Sequence, residues 1–189
     1  MCSSDLKKNT GRPQRYLRKH GYTGTIVPIN RTATEVMGEK AYPSLREAPD
    51  GIEHALVMVP GEHVPGVIDE CVEKKIPMVS IYSDGFAETG EEGRKRQEGL
   101  QAAARKGGVR LIGPNCMGII NTHMPCALSI NAVLDIDHLN RGPISLISQS
   151  GSVMGALLSR AQGRGLGIRR RGIGGGSGWH GQNGGSAVV

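Results

Sequence analysis

Aromatic residues make up only 3% of the 189-residue sequence and cysteine occurs four times. No apolar run approaches the roughly 18–20 residues of a membrane-spanning helix. The shortage of aromatics removes the stacking platform on which single-strand nucleic-acid binders rely. Cys2, Cys71, Cys116 and Cys126 are scattered, without disulfide density and without the Cys-x-x-Cys spacing of a zinc site. The six histidines show no metal-ligand spacing either. The first residues do not read as a signal peptide, so reduced thiols in a cytoplasmic setting are the expectation.

Two quantities are in excess. Glycine occurs 29 times and the formal charge is +6, against an average glycine usage of about 7%. Both concentrate at one end. Residues 163–189 hold eleven glycines, four arginines, the single tryptophan Trp179 and no acidic residue, and without them the net charge is +2. The body is a near-neutral globular chain, and its charge gives no reason to expect a nucleic-acid or membrane partner.

The body alternates short apolar runs with helical periods. A basic helix, TGRPQRYLRKHG, stops at Gly21, a residue suited to the position after a helix end. TGTIVPIN (23–30) reads as a short buried strand. HALVMVP (54–60) reads as a strand covered on both faces, and PMVSIYS (77–83) and VRLIG (109–113) read as further strands. Between them, Val64, Val67, Ile68, Cys71 and Val72 form one stripe of a 3.6-residue period, and a second helix is expected over 91–106. Strands separated by helices of this length imply βαβ units and a parallel sheet. Ligands of such sheets bind beyond the carboxyl ends of the strands. Those ends are Asn30-Arg31, Val59-Pro60-Gly61, Ser83-Asp84-Gly85 and Asn115-Cys116. A connection over 126–142 carries the apolar run CALSINAVL. ISLIS, the turn QSGS and the stripe Val153, Met154, Leu157, Leu158 and Ala161 then begin a second α/β unit. Ser150, Gly151 and Ser152 open its helix, where first-turn N–H groups lack intrahelical partners and favour an anion.

Five stretches, in order along most of the chain, carry a family resemblance: HGYTGTIVPINRTATEVMGEKAYPSL, VMVPGEHVPGVIDEC, SDGFAETGEEG, RLIGPNCMGIIN and PISLISQSGSVMGALL. Residues of about 10–168 resemble the CoA-binding domain and the start of the succinyl-CoA-ligase-like domain of NDP-forming acyl-CoA synthetases. This group includes ADP-forming acetate–CoA ligases and the succinyl-CoA synthetase α subunit. The resemblance implies an α/β fold with a Rossmann-like parallel sheet over 10–125, followed from 143 to 168 by the first βα unit of a flavodoxin-like domain. It implies coenzyme A or acyl-CoA as ligand and ligase chemistry through an acyl phosphate and a phosphohistidine. ATP or ADP and Mg would enter only through an ATP-grasp domain or β subunit that this sequence lacks.

By the same resemblance, Arg31 meets CoA phosphate, Asn30 beside it belongs to the cofactor-binding set, and Val59 and Pro60 face the pantetheine or adenine. Ser83, Asp84 and Gly85 accept its polar groups, Asn115 and Cys116 lie near its thiol, and Ser150, Gly151 and Ser152 hold phosphate. No catalytic residue is expected. Cys116 has no histidine in a sequence relation that would activate it, and His180 in GWHGQNGG does not match the family's phosphohistidine motif.

The ends depart from the family. MCSSDLKKN (1–9) stands where a first strand and glycine-rich loop are expected, and MCSSDL resembles a translated sequencing-adapter end, so a non-native leader is the expectation. From about Arg169 the composition suggests a shifted reading frame and a disordered tail over 169–189. CoA binding is expected to be weak with an inner strand missing, and the chain alone is expected to show no ligase turnover. Two other readings remain open: a CoA- or nucleotide-binding regulatory module of a protein lysine acetyltransferase, and a generic NAD(P)-binding Rossmann domain. The second lacks a G-x-G-x-x-G after a first strand.

Overall fold

A computed structural model describes residues 9–173. In chain order it contains helix α1 (Arg12–Lys19), the short strands β1 (Glu35–Val36) and β2 (Glu39–Lys40), β3 (His54–Val57), α2 (Val64–Glu73) and β4 (Met78–Ile81). It continues with α3 (Glu91–Lys106), β5 (Arg110–Ile112), β6 (Gly118–Asn121), β7 (Cys126–Ser129), β8 (Ile144–Ser148), α4 (Gly151–Gly163) and β9 (Ile168–Ile173). These elements form two compact units. One is Thr25–Cys116, and the other joins the stretch ending at Gly24 to the stretch starting at Met117.

In the first unit β3, β4 and β5 make a parallel sheet in that order, with Ala55, Val79 and Leu111 in register. All four residues of β3 and the last three of β4 are buried, as strands covered on both faces require. Helix α2 buries Val64, Ile68 and Cys71, one stripe of its surface. Helix α3 is polar over most of its length and buries only Gly93, Leu100 and Ala104. Its acidic first turn (Glu91, Glu92) and basic last turn (Arg105, Lys106) complement the helix dipole. Val64, Ile68, Ile76, Val79, Ile81 and Phe86 are fully buried in one cluster, each contributing about 1.5–3 kcal/mol by leaving water. Two polar side chains also enter this core, His54 and Ser80, and they satisfy each other across β3 and β4 with Nε2 2.8 Å from Oγ.

The strand expected over 23–30 does not form. Ile26 and Val27 are buried, but pairing is limited to one bridge between Ile29 and Tyr42. Tyr42 N–H donates to the Pro28 carbonyl and Asn30 N–H donates to the Tyr42 carbonyl. Pro28 brings no N–H of its own, so a regular ladder is interrupted there.

The second unit holds a mixed sheet in the order β7-β6-β9-β8. β6 runs antiparallel to both β7 and β9, while β8 and β9 are parallel and joined through α4, a βαβ unit. Tyr16, Ile120, Ala127, Leu134, Leu158 and Ile168 form its core. Helix α1 closes onto this unit through Tyr16, whose hydroxyl donates to Asp135 at 3.1 Å. Burial and the Asp135 carboxylate push the Tyr16 phenol above its ordinary range. The apolar run in the connection over 126–142 contains β7. The tail expected to be disordered from about Arg169 is a paired strand as far as Ile173, and the rest of that tail lies outside the described residues, as does the leader through Lys8.

Candidate functional site

The site is built where the parallel strands end. Chain leaving β3 reaches Val59 and Pro60, chain leaving β4 reaches Ser83, Asp84 and Gly85, and chain leaving β5 reaches Asn115 and Cys116. Hydrogen bonds tie the three loops together. Tyr82 N–H donates to the Val57 carbonyl at 2.9 Å, and the Ser83 hydroxyl donates to the Val59 carbonyl. Asn115 N–H donates to the Ser83 carbonyl at 3.0 Å, and Cys116 N–H to the Ile81 carbonyl at 2.9 Å. The chain enters this last contact through a left-handed Asn115 at φ 54°, a conformation asparagine tolerates better than most residues.

Seven of the residues expected from the sequence are therefore brought to one edge of one sheet. Their exposures divide the work. Ser83 and Cys116 are buried and hold the loops, whereas Pro60, Asp84 and Asn115 are exposed at that edge. Cys116 is fully buried. Burial, helped by the Glu70 charge, pushes the Cys71 thiol up to about 12, and burial pushes Cys126 up to about 11. A thiolate nucleophile has no support at either position.

Asn30 and Arg31 form a separate turn. Asn30 Oδ1 accepts from Thr32 N–H, the Thr32 hydroxyl and Ala33 N–H at 3.0, 3.2 and 2.9 Å, so its side chain shapes the turn instead of reaching outward. Arg31 is exposed at the tip. Ser150, Gly151 and Ser152 belong to the other unit. Ser150 caps α4, its hydroxyl accepting from Val153 N–H at 3.3 Å, and its own N–H donates to the Ser148 hydroxyl at 3.0 Å.

Sequence reasoning missed the residues that fix the Ser83–Gly85 loop. Glu88 Oε1 accepts from Gly85 N–H at 2.8 Å and from Phe86 N–H at 3.2 Å. Arg96, one element later on α3, donates to the Gly85 carbonyl at 2.8 Å. Burial pushes the Glu88 carboxyl up, but backbone N–H donations from its own amide, Phe86 and Gly85 outweigh this and hold it below the usual carboxylate range. The only sequence signal was the acidic run ETGEE, which reads equally well as charge at a helix start.

The second unit also contains a cavity of about 290 Å³ between the end of α1, the β6–β7 turn and residues 137–141. Two of its four basic side chains are engaged by neighbours. Lys19 reaches Asp137 at 3.5 Å and the Asp135 carbonyl, and His20 Nε2 lies 2.8 Å from the Leu134 carbonyl. None of the residues expected from the sequence to bind a ligand lines it.

The model of a family described as a CoA binding domain matches residues 2–122. The chain belongs to that family. Over 146 residues this CoA binding domain chain is 40% identical to the α subunit of an ADP-forming acetate–CoA ligase I from Pyrococcus furiosus, covering 75% of this chain and 31% of that protein. It is 34% identical over 149 residues to ADP-forming acetate–CoA ligase I of Archaeoglobus fulgidus, covering 79% of this chain and 21% of that protein. Among solved structures it is similar to the apo form of a dinucleotide forming acetyl-coenzyme A synthetase 1 from Ca. Korarchaeum cryptofilum, with TM-score 0.84 and 30% identity, covering 92% of this chain and 37% of that one. The α/β architecture with a Rossmann-like parallel sheet is thus that of acetyl-CoA synthetase structures. The chain spans less than a third of the curated relatives' length. No helix among the described residues is long and apolar enough to cross a membrane.

Proposed function

We propose that this chain is the CoA-binding portion of an ADP-forming acyl-CoA ligase, with CoA or acyl-CoA lying across the carboxyl ends of β3, β4 and β5. The observation that carries the reading is the hydrogen-bonded convergence of the Val59, Ser83 and Asn115 loops at that edge. Such an edge suits a long ligand that is neutral along its arm and anionic at its nucleotide end. Val59 and Pro60 offer an apolar border to the pantetheine or adenine. Asp84 is exposed and accepts hydrogen bonds from neutral polar groups, while its charge keeps phosphate away. Arg31 supplies the cation for a CoA phosphate, and charge-assisted pairing makes that contact worth more than a neutral one. Asn115 and Cys116 border the thiol end. Ser150, Gly151 and Ser152 offer the start of α4 to a phosphate group.

In this reading ATP or ADP and Mg belong to an ATP-grasp domain or β subunit working with this portion, and the chain alone turns over no acid, CoA and ATP. Fully buried Cys71 and Cys116 suit a reducing, cytoplasmic setting. Isothermal titration of the 189-residue chain with CoA and, separately, with NADH tests the assignment. CoA is expected to saturate one site while NADH gives no binding heat. Tight NADH binding without a CoA response would overturn it.

A further inference from the structure

Resting on the CoA reading above, we propose that Glu88, assisted by Arg96, is a positioning residue that sets the Asp84–Gly85–Phe86 turn in its ligand-receiving form. The turn has few internal means of holding that shape. Gly85 sits at φ 89°, a left-handed conformation most residues avoid and glycine enters freely, so the sequence that permits the turn also leaves it able to depart from it. Both polar groups of the Gly85 backbone are taken by side chains. Its N–H donates to Glu88 at 2.8 Å, and its carbonyl accepts from Arg96 at 2.8 Å. The same Glu88 oxygen accepts Phe86 N–H at 3.2 Å, and the Phe86 ring is fully buried in the core.

The clamp therefore connects a rigid anchor, Phe86, to the exposed carboxylate of Asp84 through a single glycine. Both backbone polar groups of Gly85 are engaged in the clamp, the N–H fully and the carbonyl through one of its two lone pairs. Its part is to aim Asp84, and the residues that aim Gly85 act on CoA at one remove. Two charged side chains of opposite sign also bind opposite ends of one residue, which fixes its orientation as well as its position.

Glu88→Ala is expected to weaken CoA binding roughly three- to tenfold, in line with loss of charge-assisted hydrogen bonds at an exposed position. Glu88→Gln keeps an acceptor oxygen and is expected to recover most of the affinity. Glu98→Ala, on the exposed face of α3, serves as the control and is expected to bind as the parent does. Amide hydrogen exchange in the absence of CoA gives a second readout: Gly85 and Phe86 are expected to exchange faster in Glu88→Ala while the β3–β4 amides keep their protection. A folded Glu88→Ala chain with parental CoA affinity overturns the positioning role and leaves the CoA reading intact. A parental chain that binds no CoA overturns the CoA reading, and this inference with it.

Discussion

Gly93→Ala is expected to destabilise the chain by about 3 kcal/mol, the upper part of the range for overpacking a closed site, and to lower the melting temperature by about 6–12 °C at this chain length. A Cβ at this position would lie 1.9 Å from the Phe86 carbonyl oxygen and 2.3 Å from the Thr89 hydroxyl. The first obstacle is backbone and cannot swing aside, so either α3 or the Phe86 turn must move. That turn is the one that carries Asp84, and CoA affinity is expected to fall with stability.

Gly99→Ala on the same helix is the matched comparison, because nothing lies within 4 Å of a Cβ there. It is expected to stabilise by about 0.5–1 kcal/mol through helix propensity alone. Thermal melts of the two variants should therefore shift in opposite directions. A Gly93→Ala chain as stable as the parent would contradict the close approach of α3 to the Phe86 turn.

Acid sensitivity supplies the second large effect. Burial holds the His54 imidazole down at about 4, against an ordinary value of 6.5. Above pH 6.5 the ring is neutral in both folded and unfolded chains and pH has no leverage through it. Between 6.5 and 4 the unfolded chain takes up a proton that the folded chain refuses, so stability falls as pH falls, by up to about 3 kcal/mol, and levels off once both states are protonated.

The exposed carboxylates of Asp50 and Glu73 behave differently. Each is lowered by a hydrogen-bonded cation, Lys74 for Asp50 and Arg46 for Glu73. Their stabilisation is lost only as pH drops through the carboxylate range. Denaturant unfolding measured from pH 6.5 to 5 isolates the histidine from them. His54→Gln is expected to flatten the slope in that window, and an unchanged slope would show that another group is responsible.

Much of the first unit could be read from periodicity. Strands β3 and β4 are buried along nearly all their length, and that environment selects continuous apolar runs. Helix α2 buries one stripe, and the spacing of Val64, Ile68 and Cys71 marks it. The strand-end residues Val59, Ser83 and Asn115 followed from the topology, because a parallel sheet directs its loops to one edge.

What escaped depends on contacts between distant positions. Residues 23–30 have strand composition, yet Pro28 and the single bridge to Tyr42 keep them from forming one. β9 has three consecutive arginines and no apolar alternation, so only its pairing with β6 and β8 reveals it. His54 and Ser80 are 26 residues apart and meet because β3 and β4 are in register. Glu88 and Gly93 look like ordinary members of an acidic helix start. Their importance lies in which carbonyls and amides they approach, which no local pattern encodes.

The proposed site places CoA at the carboxyl edge of β3, β4 and β5. Backbone amide chemical shifts of the chain, mapped during CoA titration, locate the ligand. The largest changes are expected on Val59, Gly61, Ser83, Asp84, Gly85, Asn115 and Cys116. Changes confined to the cavity lined by Lys19, Asn121 and Arg141, or none at saturating CoA, would contradict that placement.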